Sequence, residues 1–393
     1  MLETALRQEK LYTCSVQELN MISKLTELLT AEERESVKQD SGPARPHPLG
    51  LLLSREEGRS QHAVNVERAL RHVSSADMAW IMKMKSRIVG PNVADSASAL
   101  AELRAYGMLL EAGYKVAPVA AGNNGPTPEF EVSDGTSAAL VEVHAKQFDA
   151  ATEKGLQAHR KMISEQPPSP GVTAYEHAVH PFGKPVVGKA GDSTVTNAIS
   201  RICAIKQKEH QFREGTPSIL WLDFQDLYNS DMALTAEQFE PLISWNEHIT
   251  SGALWYALYG WKGAPILEQC HYSHLDLPSQ IKGMAHNGRF LTSKKLSAVI
   301  VSLPKATILA ESPRKAKQLP VDLRLRYLGL PWAGIQHTIA EWTDGLVVRR
   351  LKEHAILICG IVGRTSPLNY PISSFDRWPA VLKLIRWFGS MTR

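Results

Sequence analysis

The chain has 393 residues, of which 44% are hydrophobic and 21% charged, a balance typical of globular proteins with two or three domains or one elaborated core. Four scattered cysteines without a CxxC pair argue against a disulfide framework and for reduced thiols. No apolar signal core and no run of about 18 apolar residues occur, so we expect a soluble cytoplasmic protein without membrane contact. The net charge of +4 is compatible with a nucleic-acid partner but does not by itself indicate one.

Residues 1–90 are predicted to form a helical region. Apolar residues repeat at helical spacing up to Leu29 and again across 61–85, and the Pro/Gly-rich stretch 41–50 between them is a candidate linker. Two interpretations are open for this region. It either binds a partner or DNA, or it is a packing extension of the core, which is the plainer alternative.

Residues 97–146 carry the clearest pattern in the chain and open with a helix and a strand. Apolar residues between Leu100 and Leu110 fall on one broad stripe, which predicts a helix. Gly113 stands where that helix is expected to end, and the short apolar run 114–119 predicts a strand.

Two further strands follow, joined by a hairpin. Phe130 and Val132 alternate with glutamates, as in a half-buried strand. Asp134-Gly135 is a strong hairpin signal, and the apolar run 140–143 predicts the third strand.

Three carboxylates are spread across these elements: Glu102 on the helix, Glu129 opening the second strand and Glu142 inside the third. Carboxylates that converge from paired strands repel one another, so a divalent cation is their natural partner. Mg²⁺ prefers oxygen ligands, and Mg²⁺ or Mn²⁺ can activate water and stabilise charge on a phosphate. His144 or Lys146, on the same strand face as Glu142, could steady that charge or position the water.

The segments 127–132 (TPEFEV) and 141–146 (VEVHAK), joined by the hairpin, resemble the PD-(D/E)XK nuclease superfamily, which has the restriction-endonuclease-like fold. The resemblance places Glu129 at the family's aspartate and Glu142 at its second acid. Glu102 matches an acid that many members carry on the preceding helix. The resemblance implies a Mg²⁺- or Mn²⁺-dependent nuclease that hydrolyses phosphodiester bonds in DNA, in a family that serves restriction, repair and anti-phage defence.

The sequence departs from the family pattern at two positions. Glu129 replaces an aspartate, which keeps the charge and lengthens the side chain. His144 stands where the family has its lysine, and Lys146, two residues further on, could substitute for it. Three functions therefore remain open: an active deoxyribonuclease, a nuclease-like fold without catalysis that binds nucleic acid or a partner protein, and a structural protein whose carboxylates are surface charges.

The resemblance extends to residues 194–224. Asp192 and Ser193 are good helix caps, a helix is predicted for Thr194–Phe212, and the apolar run 218–224 predicts a buried strand. These elements complete the family's helix–strand–strand–strand–helix–strand order. Residues 147–191 would then be an insertion longer than most connections.

Basic residues in and after this insertion are candidate nucleic-acid contacts. The segment 183–190 (GKPVVGKA) nearly matches the phosphate-binding GxxxxGK[ST] loop, but Ala190 cannot ligate Mg²⁺ as Ser or Thr would. A basic surface loop, with Lys189 close to a phosphate backbone, is the better interpretation. Lys206 and Gln211, at the far end of the predicted helix, either contact phosphate or lie on a solvated helix face.

The last part of the chain, residues 226–393, has weaker signals. The aromatic stretch 239–261 is either a base-stacking platform or core, and core is the more ordinary role. Cys270 and His271 lack the second ligand pair that a structural zinc would need. We predict strands at 296–303, 346–348 and 355–362 and an amphipathic helix at 378–388.

These expectations combine into one architecture of mixed α/β class. We predict a restriction-endonuclease-like αβββαβ core at 91–225 with the insertion 147–191, an N-terminal helical region at 1–90 and a C-terminal mixed α/β region at 226–393. DNA is the expected partner. The two terminal regions are the places left for a partner protein or a second copy of the chain.

Overall fold

The structure is a computed structural model. It describes residues 22–39, 47–53, 61–120, 127–146, 193–205, 215–226, 236–239, 242–245, 248–260, 264–266, 270–271, 282–312, 318–327 and 339–340, with isolated residues between these ranges.

The described part of the N-terminal region is helical, as predicted. Its helices are α1 (Leu25–Leu28), α2 (Ala31–Gln39), α3 (Pro48–Leu53), α4 (Gln61–Ala76), α5 (Met78–Val89) and α6 (Val93–Glu111). The single helical region predicted across 61–85 is two helices, because Asp77 leaves the helical conformation and its side chain accepts a hydrogen bond from the Trp80 N–H at the start of α5. None of the described helices is both long and apolar enough to span a membrane.

The remaining described elements follow in chain order. The strands are β1 (Lys115–Pro118), β2 (Phe130–Ser133), β3 (Ala138–Ala145), β4 (Ser218–Asp223), β5 (Leu242–Trp245), β6 (His248–Ser251), β7 (Pro265–Ile266), β8 (Cys270–His271), β9 (Lys282–Gly283), β10 (Leu296–Leu303), β11 (Ala306–Glu311) and β12 (Ile339–Ala340). The helices are α7 (Thr194–Cys203), α8 (Ala253–Tyr259), α9 (Arg289–Thr292) and α10 (Val321–Arg326), and Ala236–Phe239 form a 3₁₀ turn.

A mixed sheet with the strand order β1-β2-β3-β4-β10-β11-β12 forms the centre of the fold. β1, β2 and β3 are antiparallel neighbours, and β4 and β10 run parallel to β3. The hairpin between β2 and β3 turns through Gly135, whose φ of 104° is unfavourable for other residues. The mixed α/β class is thus confirmed, and α6, β1, β2, β3, α7 and β4 occur in the order predicted across residues 97–224.

Each face of the sheet is covered by a different set of helices. Phe130, Val141 and Trp221 share one apolar cluster with residues of α4, α5 and α6. Leu220 and Leu222, which point to the opposite face, share a second cluster with α7 and α8. The first cluster includes residues on both sides of position 90, so the N-terminal helices contribute directly to the core of the sheet.

Helix α7 is shorter than the helix predicted for Thr194–Phe212. Ser193 caps its beginning through its side-chain oxygen, as predicted, but the helix ends at Cys203. The buried Arg289 donates hydrogen bonds from Nη1 to the carbonyl oxygens of Cys203 and Ile205, and these bonds satisfy the groups that a longer helix would have paired internally.

Beyond β4, some predictions are confirmed and others concern residues outside the described ranges. The strand predicted at 296–303 is β10, and the described aromatic residues Trp255, Tyr256 and Tyr259 are buried in the core, which confirms the ordinary interpretation. Cys270 and His271 form β8, whereas the rest of that segment lies outside the described residues. The elements predicted between residues 346 and 388 also lie outside them.

Candidate functional site

Glu129 precedes β2 and is held against the backbone of β3. Phe130 pairs with Val141, so one further step of the antiparallel register places Glu129 opposite Glu142. The Val143 N–H donates to Glu129 Oε2 at 2.7 Å. The carboxylate of Glu129 therefore continues the β2–β3 ladder where the backbone of β2 has ended, and it cannot rotate away without breaking that bond.

Glu142 lies inside β3 and is 5% exposed. It pairs with Leu220 and His144 pairs with Leu222, so both side chains belong to the face of the sheet that packs against α7. Lys146 follows the end of the strand, and its N–H donates to the carbonyl oxygen of Asp223 at 2.9 Å. His144 and Lys146 are both half-buried.

Glu102 lies on α6, which covers the other face of the sheet, and it is bound by an arginine of α5. Arg87 Nη1 donates to Glu102 Oε2 at 2.9 Å, and Nη2 donates to Oε1 at 3.1 Å. Arg87 Nε donates to Asp95 Oδ1 at 2.8 Å. Both oxygens of Glu102 are therefore engaged, and its side chain is only 14% exposed.

The three predicted carboxylates interact through their charges. Burial raises the pKa of Glu129 to about 7, and the charges of Glu102 and Glu142 add to the rise against the opposing hydrogen bond from Val143. Burial also raises the pKa of Glu102, and its bonds to Arg87 offset only part of that effect. Glu102, Glu129 and Glu142 thus form one electrostatic unit around Glu129.

Of the three predicted carboxylates, two fit a metal ion in this arrangement and one does not. No group of three or more His, Cys, Asp or Glu side chains within the described ranges is placed to hold one ion. Glu129 and Glu142, opposite each other in the extended register, offer oxygen donors of the kind that Mg²⁺ and Mn²⁺ accept, and Mg²⁺ commonly uses one or two carboxylates and completes its shell with water. Glu102, with both oxygens on Arg87, does not fit as a ligand in this arrangement.

The candidate nucleic-acid contacts Lys189, Lys206 and Gln211 lie outside the described residues, as does the segment 183–190 that nearly matches a phosphate-binding loop. Their roles stay predictions.

A buried polar network beside the site was not foreseen from the sequence. Arg104 on α6 is fully buried and binds Asp223 and Asp226, which lie at and just beyond the end of β4. Gln225 donates to Ser302 Oγ at 2.7 Å. The sequence signal for this network was Asp223, a polar residue near the end of the apolar run 218–224. The sequence does not indicate its partner, because that depends on how α6 packs on the sheet.

The role of Arg87 was not foreseen either. The helical region predicted across 61–85 stops short of Arg87, and the contact with Glu102 depends on how α5 packs against α6, which nothing in the local sequence specifies.

Comparison of the chain with protein-family models, with curated protein sequences and with solved structures finds no match in any of the three. The function proposed below therefore rests on the residues and their geometry.

Proposed function

We propose that the protein is a divalent-metal-dependent nuclease of the PD-(D/E)XK kind that hydrolyses phosphodiester bonds in DNA. The observation that most supports this function is the environment of Glu129, whose pKa rises to about 7 partly through the charges of Glu102 and Glu142. These are the three acids that the family pattern selects. The order α6, β1, β2, β3, α7 and β4, with β4 parallel to β3, agrees with a restriction-endonuclease-like core.

In this function Glu129 and Glu142 would hold Mg²⁺ or Mn²⁺, and Glu102 would support the site through its charge. When bound, the ion would supply Lewis-acid stabilisation of the phosphate and would activate a water molecule. The hydrogen bond from Val143 fixes the orientation of Glu129 before any ligand arrives, which lowers the cost of assembling the site.

His144 or Lys146 would position the attacking water or donate to a phosphate oxygen. His144 follows Glu142 at the two-residue spacing of one strand face, whereas Lys146 comes just after the end of β3, and the backbone of Lys146 is tied to the end of β4 through Asp223. A cation in this place offsets the charge that builds up on the phosphate in the transition state.

The direct test is cleavage of supercoiled plasmid DNA by the purified chain with Mg²⁺ or Mn²⁺. We expect nicking that Glu142→Gln abolishes, because the amide keeps the volume of the side chain but removes its charge. Glu131→Gln is the matched control, since Glu131 lies on β2, is half-buried, and pairs with Leu140. Undiminished cleavage by the Glu142→Gln protein would remove this site assignment.

A second candidate is a nuclease-like fold that binds DNA without cleaving it. Two observations favour it: His144 occupies the position of the family's lysine, and Arg87 engages both oxygens of Glu102. This candidate predicts salt-sensitive DNA binding with no cleavage under Mg²⁺, Mn²⁺ or Ca²⁺. Filter binding at several salt concentrations, run in parallel with the plasmid assay, separates the two functions.

A further inference from the structure

Arg87 contacts one member of the carboxylate unit, Glu102, directly. Its guanidinium makes a two-pronged contact with Glu102 at 2.9 and 3.1 Å and a third contact with Asp95 at 2.8 Å. Such paired bonds between a guanidinium and a carboxylate are stronger and more directional than a single charged contact. Asp95 and Glu102 both lie on α6, so Arg87 is braced from two turns of one helix.

This contact changes what Glu102 can do. A metal ligand needs an available oxygen lone pair directed at the ion, and Arg87 directs both oxygens of Glu102 towards α5. The charge of Glu102 nevertheless reaches Glu129. Glu102 is therefore near enough for its charge to affect Glu129, but its oxygens are not directed at the metal site.

We propose that Arg87 is a positioning residue that keeps Glu102 out of the metal's coordination shell, so that Glu129 and Glu142 hold the ion and Glu102 acts only through its charge. The inference rests on the proposed metal site and adds to it the residue that sets the number of protein ligands. Groups just outside a coordination shell commonly change metal affinity by about 10- to 100-fold.

Removal of the Arg87 guanidinium should therefore strengthen metal binding. Without the guanidinium, Glu102 has one interaction fewer that competes with the ion, and the unit gains one net negative charge. Damage to the structure would have the opposite effect, since a loosened site binds metal more weakly. A gain in affinity thus distinguishes the positioning role from a merely structural one.

The test is calorimetric titration of the full chain with Mn²⁺ alone. We expect Arg87→Gln to lower the dissociation constant about tenfold relative to the unsubstituted chain. The double variant Arg87→Gln, Glu102→Gln should return to the original affinity or weaker, because the newly released ligand is gone. Lys83→Gln is the matched control: Lys83 is exposed one turn earlier on α5, so this change removes the same charge without touching Glu102.

The Mn²⁺ titrations distinguish failure of the positioning role from failure of the metal site itself. Unchanged or weaker Mn²⁺ binding by a folded Arg87→Gln protein overturns the positioning role, while Glu142-dependent binding by the unsubstituted chain would leave the proposed nuclease site intact. A gain of equal size in Lys83→Gln overturns it too, since the effect would then be general charge. If none of the proteins binds Mn²⁺, both the metal site and this inference are wrong.

Arg87→Lys provides a second test of the positioning role if the Arg87→Gln protein does not fold. Lysine keeps the charge but cannot contact both oxygens in the same plane. We expect a smaller gain in Mn²⁺ affinity from Arg87→Lys than from Arg87→Gln, and no gain at all would contradict the inference.

Discussion

Arg104 and Asp223 form an ion pair that is closed off from solvent. Arg104 Nε donates to Asp223 Oδ2 at 2.9 Å and Nη2 donates to Oδ1 at 2.8 Å, with both side chains 0% exposed. Asp226 accepts two further bonds from the same guanidinium. Burial opposes the charged form of Arg104, but the two carboxylates outweigh it and raise the arginine pKa. The pair joins α6 to the end of β4, beside the carbonyl that holds Lys146.

This geometry predicts that Asp223→Asn is strongly destabilising. The substitution leaves a buried guanidinium with half of its compensating charge, and breaking a buried pair in this way costs about 3–5 kcal/mol of unfolding free energy. Denaturant unfolding of the two proteins measures the difference. Asp226→Asn is the matched comparison and should cost less, because the Asp226 side chain is 14% exposed and keeps some hydration.

A loss below about 1 kcal/mol in Asp223→Asn would contradict the prediction. It would mean that Asp226 alone compensates the charge of Arg104, or that water reaches the pair.

The β2–β3 hairpin was predictable because its signals are local. Asp134-Gly135 specifies the turn, and the alternation around Phe130 and Val132 specifies the buried face, so the positions of Glu129 and Glu142 followed from strand geometry alone. The same periodicity places His144 on the strand face of Glu142.

The partners of Glu102 and Asp223 were not predictable in this way. Arg87 is 15 positions from Glu102, and Arg104 is 119 positions from Asp223. Each contact depends on which way one helix packs against another element, and periodicity says nothing about that. Sequence patterns therefore identified the acids of the candidate site and missed the arginines that bind Glu102 and Asp223.

Gly107 of α6 packs directly against Ala69 of α4. A Cβ added at Gly107 would lie 2.3 Å from the Ala69 Cα and 2.7 Å from its carbonyl oxygen. Gly→Ala inside a helix normally stabilises by about 1 kcal/mol, but here the backbone of α4 would have to move. We expect Gly107→Ala to reverse the usual sign and to cost about 1–3 kcal/mol, as overpacking does, measured by thermal and denaturant unfolding.

The proposed metal site should also be affected when α6 moves. Since Glu102 and Arg104 both lie on α6, displacement of that helix should also weaken Mn²⁺ binding in the Gly107→Ala protein. A variant as stable as the original chain, with unchanged Mn²⁺ affinity, would show that α4 and α6 do not pack as closely as described.

Glu129 makes the stability of the protein depend on pH. Its pKa is about 7 in the folded chain, against an ordinary value of 4.5. Between these values the folded chain keeps a proton that the unfolded chain has lost, so the free energy of unfolding falls as pH rises from 4.5 to 7 and then levels off. Without added metal, Glu129→Gln should remove this contribution, which is on the order of 3 kcal/mol.

The measurement is denaturant unfolding of the original chain, Glu129→Gln and Glu131→Gln at pH 5 and pH 8. The amide of Glu129→Gln can still accept the Val143 N–H, so the ladder contact is kept and only the titration is lost. We expect the smallest difference between the two pH values in Glu129→Gln. An equal difference in all three proteins would place the titration elsewhere.

The roles of His144 and Lys146 can be distinguished by substituting each residue in turn. If Lys146 supplies the cation of the site, Lys146→Ala should lower the plasmid cleavage rate by about 10²–10⁴, the range of a positioned acid–base group, and His144→Ala should change it little. If His144 supplies it, the two results are reversed.

The decisive variant is the double substitution His144→Lys, Lys146→Ala, which moves the lysine to the position that the family uses. His144 lies in β3 and Lys146 is two residues further on, just beyond the end of the strand, so their side chains start about 7 Å apart along the chain. Full activity in the double variant would show that the site accepts a lysine at the family position. Activity in neither the native chain nor the double variant, with DNA binding retained in both, would favour the binding function instead, because the lysine would then not be the missing component.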